Sequence, residues 1–282
     1  MVSMRSVVLC ADDFGLTEGV SRGILELAEA GRVSATGAMT NMPGWRRSAP
    51  GLRPLKGRFG IGLHLNLTTG SPLGPMPHLA PGGAFPPLKG LLTKALTGRL
   101  PAGEIRAEVA RQIDAFEEAH GEPPDFVDGH QHVHVLPVVR QALMGVLKGR
   151  GYAGRLWVRD PSDRTAAIVE RRIGRRKALL VKLLARGFRE TARAAGFDTN
   201  EGFSGFAPFD LSVPPDRIFA EAFLNPGPRP VVMCHPGYGD EELSGLDPAV
   251  ESRDAELAYL LSDAFRELIE GRHIALSARP TP

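Results

Sequence analysis

Short apolar runs of β type alternate with longer amphipathic helical patterns along nearly all of this 282-residue chain, and that alternation limits the available folds more than any other feature. Val7-Val8-Leu9-Cys10-Ala11 reads as a buried strand. Thr17 then stands where it can cap a helix with the stripe Val20, Ile24 and Leu27, ending near Gly31. From Phe59 to Leu67 the residues alternate, with Ile61, Leu63, Leu65 and Leu67 on one face and Gly60, Gly62, His64 and Asn66 on the other. Helices are expected at about 103–120, 137–149, 166–195, 213–223 and 249–271, and strands at about 125–128, 154–158, 202–206, 230–234 and 273–277. Strands alternating with helices form parallel βαβ units. Seven or eight such units predict an α/β fold, an irregular, TIM-barrel-like (β/α) barrel spanning 1–282 as one domain, over an open doubly wound sheet.

Two stretches depart from this rhythm. Residues 70–102 are rich in proline and glycine and read as a long excursion from the barrel top, suited either to covering a substrate or to a surface loop with no further role. Residues 164–193 interleave Arg171, Arg172, Arg175, Arg176, Lys177, Lys182, Arg186 and Arg189 with Leu179, Leu180, Val181, Leu183 and Leu184. The favoured reading is a barrel helix with a core-facing stripe and a solvated basic face, over a membrane-surface or partner-binding helix. A formal charge of +2 is too near balance to imply nucleic acid or an acidic membrane as a partner. No apolar run approaches a membrane span, so no stable membrane insertion is expected. Two cysteines, Cys10 and Cys234, make neither a disulfide framework nor a Cys-rich metal site, which with the short apolar run after Arg5 suggests a cytoplasmic setting. They are expected to pack as small apolar residues beneath the site. A homodimer is compatible with the chain.

Four motifs fall at the C-terminal ends of expected strands, where barrels of this kind place their chemistry. Ala11-Asp12-Asp13-Phe14-Gly15 offers two adjacent carboxylates pointing in different directions, one to ligate a metal and one to face a substrate as base. Gly62-Leu63-His64-Leu65-Asn66 sets His64 opposite the leucines, beside glycines that leave room. Asp128-Gly129-His130-Gln131-His132-Val133-His134 holds three of the eight histidines at alternate positions; if the strand continues, all three face one cavity. Imidazole is the commonest protein ligand for a divalent metal, and Asp128 can orient one. Met233-Cys234-His235-Pro236-Gly237-Tyr238 leaves His235 at a strand tip, where it can act as a general acid.

In this order and spacing the motifs closely resemble the YdjC-like family of carbohydrate deacetylases, also called the ChbG/HpnK family, and the resemblance covers essentially the whole chain. It implies an irregular (β/α) barrel and one divalent metal ion, zinc or magnesium with manganese or cobalt as alternatives. The implied ligands are Asp13, His64 and His130. Asp12 is the implied general base and His235 the implied acid, in removal of an N-acetyl group from an N-acetylated saccharide. The remaining polar residues, His132, His134, Asn66, Asp128 and Tyr238, are then expected to face substrate or to orient the ligands. The histidine cluster is closer to chitooligosaccharide-type members than to the hopanoid-associated branch, which shows Asn-Ala-His-Lys-His there. The segment after His235-Pro236-Gly237 departs from the chitooligosaccharide type, so the acceptor, a chitooligosaccharide or glycolipid-linked N-acetylglucosamine, stays open. Aromatic platforms for a sugar are sought among Trp45, Trp157, Phe203, Phe206 and Tyr238.

Two rival readings remain. A barrel hydrolase of the amidohydrolase or phosphoesterase type would usually carry its His-x-His pair on the first strand, whereas here the first strand ends in Asp12-Asp13. A carbohydrate-binding barrel without activity would not need every catalytic position filled.

Overall fold

In the computed structural model, which describes residues 4–281, eight parallel strands follow one another around a strongly curled sheet. They are β1 (Arg5–Phe14), β2 (Ala35–Ala38), β3 (Gly60–Leu65), β4 (Phe126–Gly129), β5 (Trp157–Val158), β6 (Asp198–Thr199), β7 (Phe203–Ser204) and β8 (Val231–Cys234). The order is β6-β5-β4-β3-β2-β1-β8-β7. Only three residues separate β6, paired to β5, from β7, paired to β8, so a single kinked run spans the last gap of an irregular barrel. Asn200 braces that kink: its amide donates to the carbonyls of Asp160 and Gly202, and its oxygen accepts from Asp160 N. A ninth strand, β9 (Ile274–Leu276), was expected in the series but pairs only with the start of β1.

Alternation along each strand divides the core. Val8 and Cys10 of β1, Ala35, Phe126, Trp157, Phe203, Val231 and Met233 point inward and fill the barrel. Val7, Leu9, Leu63, Leu65, Val127 and Val232 point outward, under the helices. The leucines of β3 therefore face the helix layer, and His64 faces inward. Thr17 caps the helix Glu18–Glu29 by accepting from Val20 N, as expected.

Two expected helices are broken. The stretch 166–195 is three short helices, Thr165–Glu170, Arg175–Leu184 and Phe188–Ala194, because Gly174 and Gly187 turn left-handed at φ 66° and 77°. The stretch 249–271 divides at Ser262, whose hydroxyl caps the second piece, Asp263–Gly271. The 70–102 excursion holds a helix of its own, Leu88–Leu96, and is pinned to the helix Ala102–His120. There Glu108 accepts from Leu73 N, and Glu104 from His78 N and Leu79 N. No helix among the described residues is long and apolar enough to cross a membrane.

Candidate active site

A regular pleat would send Asp12 and Asp13 to opposite faces of β1. Instead Ala11 pairs with Thr36 and Phe14 with Ala38, three steps on β1 against two on β2, so the strand bulges at the acidic pair. Asp13 takes up the bulge at φ 70°, an unfavourable conformation for a side chain other than glycine and one characteristic of working sites. Both carboxylates thereby line the same cavity of about 350 Å³ at the C-terminal end of the barrel, together with His64, His130, His132 and His235.

His64 is fixed from behind. Its Nδ1 lies 2.6 Å from Asp128 Oδ1, and an ionised carboxylate only accepts, so Nδ1 donates there and Nε2 is the nitrogen turned toward Asp13 Oδ1, 3.4 Å away. The paired residues are neighbours on β3 and β4. Gly37 of β2 makes space for them: a Cβ there would stand 3.0 Å from His64 Nδ1 and 3.2 Å from Asp128 Oδ1. The glycines of the Gly-x-His strand play a different part from the expected one. The space beside Gly62 is filled by the Phe126 ring and that beside Gly60 by the Ala278 carbonyl.

The histidine cluster does not continue the strand. β4 ends at Gly129, and Gln131 and His132 turn left-handed at φ 51° and 60°, sending the three imidazoles to three places. His130 Nδ1 reaches Asp13 Oδ1 at 2.9 Å. His132 lines the cavity edge-on to Phe203 and Phe206, and burial holds its pKa well below the ordinary value. His134 is buried, its Nε2 donating to the Arg159 carbonyl at 2.8 Å, and burial lowers its pKa to about 4.

Residues that the sequence reading missed complete the electrostatics. Arg159, fully buried just past β5, clamps both oxygens of Asp12 at 2.7 Å and pairs with Asp128 Oδ2 at 2.6 Å. Its guanidinium lies between Phe126 and Phe203, 5.9 and 5.7 Å from the ring centres, with Cys10 Sγ at 2.8 Å. Arg253, from the helix Glu251–Leu261, sets Nη2 between Asp13 Oδ2 at 2.6 Å and Asp247 Oδ2 at 2.8 Å. Glu256 on the same helix accepts from His235 N at 2.7 Å, and its own burial raises it to about 7. The only local hint of Arg159 was a charge at the end of a short apolar run.

Burial alone would raise both Asp12 and Asp13. Arg159, then His64, outweigh it for Asp12, and His130 and Arg253 for Asp13, so both stay ionised. Burial would likewise depress His64, but Asp128 and Asp12 raise it to about 10. His235 is lowered to about 4, chiefly by burial, so it rests neutral at pH 7. Cys10 packs beneath the site and Cys234 in the outer layer; both thiols are free, and burial pushes both well up.

Other expected site residues lie elsewhere. Tyr238 leans on the helix Glu18–Glu29, its hydroxyl donating to Glu26 and its ring 4.5 Å from the Arg22 guanidinium, outside the cavity. Asn66 ties its own turn, accepting from Thr68 N and Thr69 N and donating to Asn41 Oδ1. Trp45 stacks on Phe116 in the outer core and Trp157 on Phe126 inside the barrel, while Phe203 and Phe206 pack around His132. The aromatic ring that does line the cavity is Phe209, edge-on to His235. The upper wall is aliphatic: Leu88 and Leu92 from the 70–102 excursion, Leu180, Val181 and Leu184 from the helix Arg175–Leu184.

One atom each from Asp13, His64 and His130 lies within 4.8 Å of the others, a buried carboxylate with two imidazoles. That donor set fits a divalent ion, with Asp128 on Nδ1 leaving Nε2 of His64 as the nitrogen that would ligate once its proton is displaced. A second convergence, Cys10, Asp12 and Asp128, surrounds the Arg159 guanidinium, which supplies the positive charge itself.

Known proteins resemble this chain throughout. The chitooligosaccharide deacetylase of Klebsiella pneumoniae (strain 342) is 28% identical over 95% of this chain and 95% of its own length. That of Proteus mirabilis (strain HI4320) is 39% identical over 48% of this chain, a match spanning 54% of the relative's length. The solved Enterococcus faecalis V583 structure named as a cellobiose-phosphate cleavage protein superposes with a TM-score of 0.75 at 22% identity, covering 98% of this chain and 97% of that one, and so shares its fold. The family model described as YdjC-like protein matches residues 6–271, and with that match over nearly its whole length the chain belongs to the YdjC-like family.

Proposed function

We propose that this protein is a metal-dependent hydrolase that removes the N-acetyl group from an amino-sugar-containing carbohydrate. The observation that carries the reading is the meeting, in one cavity, of a carboxylate–imidazole–imidazole donor set (Asp13, His64, His130) with a separate ionised carboxylate, Asp12, and a histidine, His235. The deacetylase names of the full-length relative and of the shorter matches agree with it.

Asp13, His64 and His130 would hold the ion, zinc or magnesium, with manganese or cobalt as alternatives. Once bound, it supplies Lewis acidity to the acetyl carbonyl and acidifies a water. Asp12 is the base that accepts the water's proton. Arg159 keeps it ionised and fixes both its oxygens, so it acts through position more than through intrinsic basicity. Arg253 holds Asp13 by its second oxygen and leaves Oδ1 turned to the two histidines. His235 begins neutral, so the proton that it delivers to the departing nitrogen is one gained within the cycle, with the reacting water as its source. Acetate and a free amine leave. Glu256 sets the backbone of His235 by accepting its N–H.

The test is acetate release from a panel of chitooligosaccharides and glycolipid-linked N-acetylglucosamine, with phosphoesters assayed in parallel. Acetate from any N-acetylated saccharide supports the proposal. Phosphate release without acetate contradicts it in favour of a phosphoesterase, and turnover of neither leaves a binding barrel.

A further inference from the structure

The two stretches that depart from the barrel rhythm meet at one place, the mouth of the active-site cavity. Leu88 and Leu92 come to it from one, and Lys177, Leu180 and Leu184 from the other. Together 70–102 and 164–193 carry thirteen of the chain's 34 Lys and Arg but only two of its 32 Asp and Glu, Glu170 and Glu190. They also carry six of the eight large hydrophobic side chains left exposed among the described residues. Leu96 is 68% exposed, and Leu180, 54% exposed, lines the cavity; Leu183, 66% exposed, lines a neighbouring groove with Arg186, and Arg175 and Arg176 are exposed at the start of the same helix.

The expectation that the 164–193 leucines form a core-facing stripe is therefore overturned. On the helix Arg175–Leu184 only Ala178 and Val181 are buried, and Leu179, Leu180 and Leu183 face out among the cations. Monomeric proteins seldom leave such groups together without a partner. Leucines flanked by long basic side chains on short helices suit the boundary between headgroups and acyl chains of an anionic bilayer. Nucleic acid would call for stacking rings, and neither the helix Leu88–Leu96 nor the helix Arg175–Leu184 contains an aromatic residue. A second copy of this surface would bring cations against cations.

We propose that this rim docks the protein on an anionic lipid surface, with the cavity mouth turned toward the headgroups. The claim concerns the surface and stands whether or not the cavity removes acetyl groups.

The test is flotation of the full-length protein with vesicles of phosphatidylcholine alone and with vesicles containing about a third phosphatidylglycerol. Binding to the anionic vesicles alone, weakened by added salt, is expected. The double variant Arg175→Gln/Arg176→Gln removes two cations, each worth about fivefold in partitioning, so binding falls roughly thirtyfold. Leu96→Glu/Leu183→Glu is expected to lose binding while keeping the wild-type melting temperature, which separates lost docking from lost folding. Equal binding to both vesicle types, binding to neither, or self-association that the same variants abolish would each overturn the proposal.

Discussion

The floor and the rim of one cavity are built on opposite principles. On the floor, Asp12, Asp13, His64, Asp128, Arg159 and Arg253 are all buried, and every one is held by at least one other member at 2.6–2.7 Å. At the rim, leucines and cations from two peripheral helices face solvent. On the proposed function the difference separates chemistry from recognition: the groups assigned to the reaction are immobilised by their partners, and the part proposed to meet the substrate or its surroundings rests on non-directional apolar contact and charge. Substitutions on the floor are therefore expected to act together and severely, and those on the rim singly and mildly.

The largest effect is expected at Asp13. Asp13→Asn weakens the anionic ligand and strands Arg253 beside it; metal content by elemental analysis falls to background and turnover with it. A variant retaining stoichiometric metal would break the division between Asp13 and Asp12. Next comes Asp12→Asn, which spares metal while kcat falls by about 10²–10⁴-fold. An active Asp12→Asn enzyme would remove Asp12 from the role of base. Arg159→Met leaves Asp12 and Asp128 buried without their cation, at a cost of about 3–5 kcal/mol in denaturant unfolding. A loss well under 1 kcal/mol would mean that the floor is less tightly coupled than its geometry implies.

Rim substitutions should be milder. Leu92→Ala or Leu180→Ala removes part of an apolar wall that bears on no reacting group, so KM rises by about threefold to tenfold with kcat nearly unchanged. An equal fall in kcat would place the rim in the chemistry. The smallest effect concerns pH. Burial raises Glu256 from its ordinary 4.5 to about 7, so the folded state binds its proton more tightly than the unfolded one. That contribution is fully present below pH 4.5 and is lost as pH rises through about 7. Glu256→Gln has no proton to lose, so its melting temperature should fall less than that of the wild type between about pH 5 and 8. Parallel curves for variant and wild type would show that Glu256 titrates normally.

Legibility followed the same line between local and non-local information. Motifs at the ends of β1, β3, β4 and β8 were readable because each sets chemistry-bearing residues directly after an apolar run. The strands β2 and β6 escaped notice: Ala-Thr-Gly-Ala has no apolar run, and β6 is two residues of a kink. Gly37 of β2 proves essential to the space around His64, a demand visible only across strands. The alternation of His130, His132 and His134 suggested one shared face, yet positive φ at Gln131 and His132 separates them. Arg159 and Arg253 reach the floor from 147 and 240 residues away in sequence, and no spacing rule announces such a partner. The rim's composition was plain in the sequence, but its exposure was not.

The account rests on Asp13, His64 and His130 serving as a metal centre for deacetylation. The direct measurement is acetate release from an N-acetylated chitooligosaccharide by protein stripped with chelator and then reloaded with zinc, magnesium, manganese or cobalt. Loss of release on stripping, and recovery as one equivalent of ion returns, is the predicted result. Release that persists undiminished in the metal-free protein would contradict it.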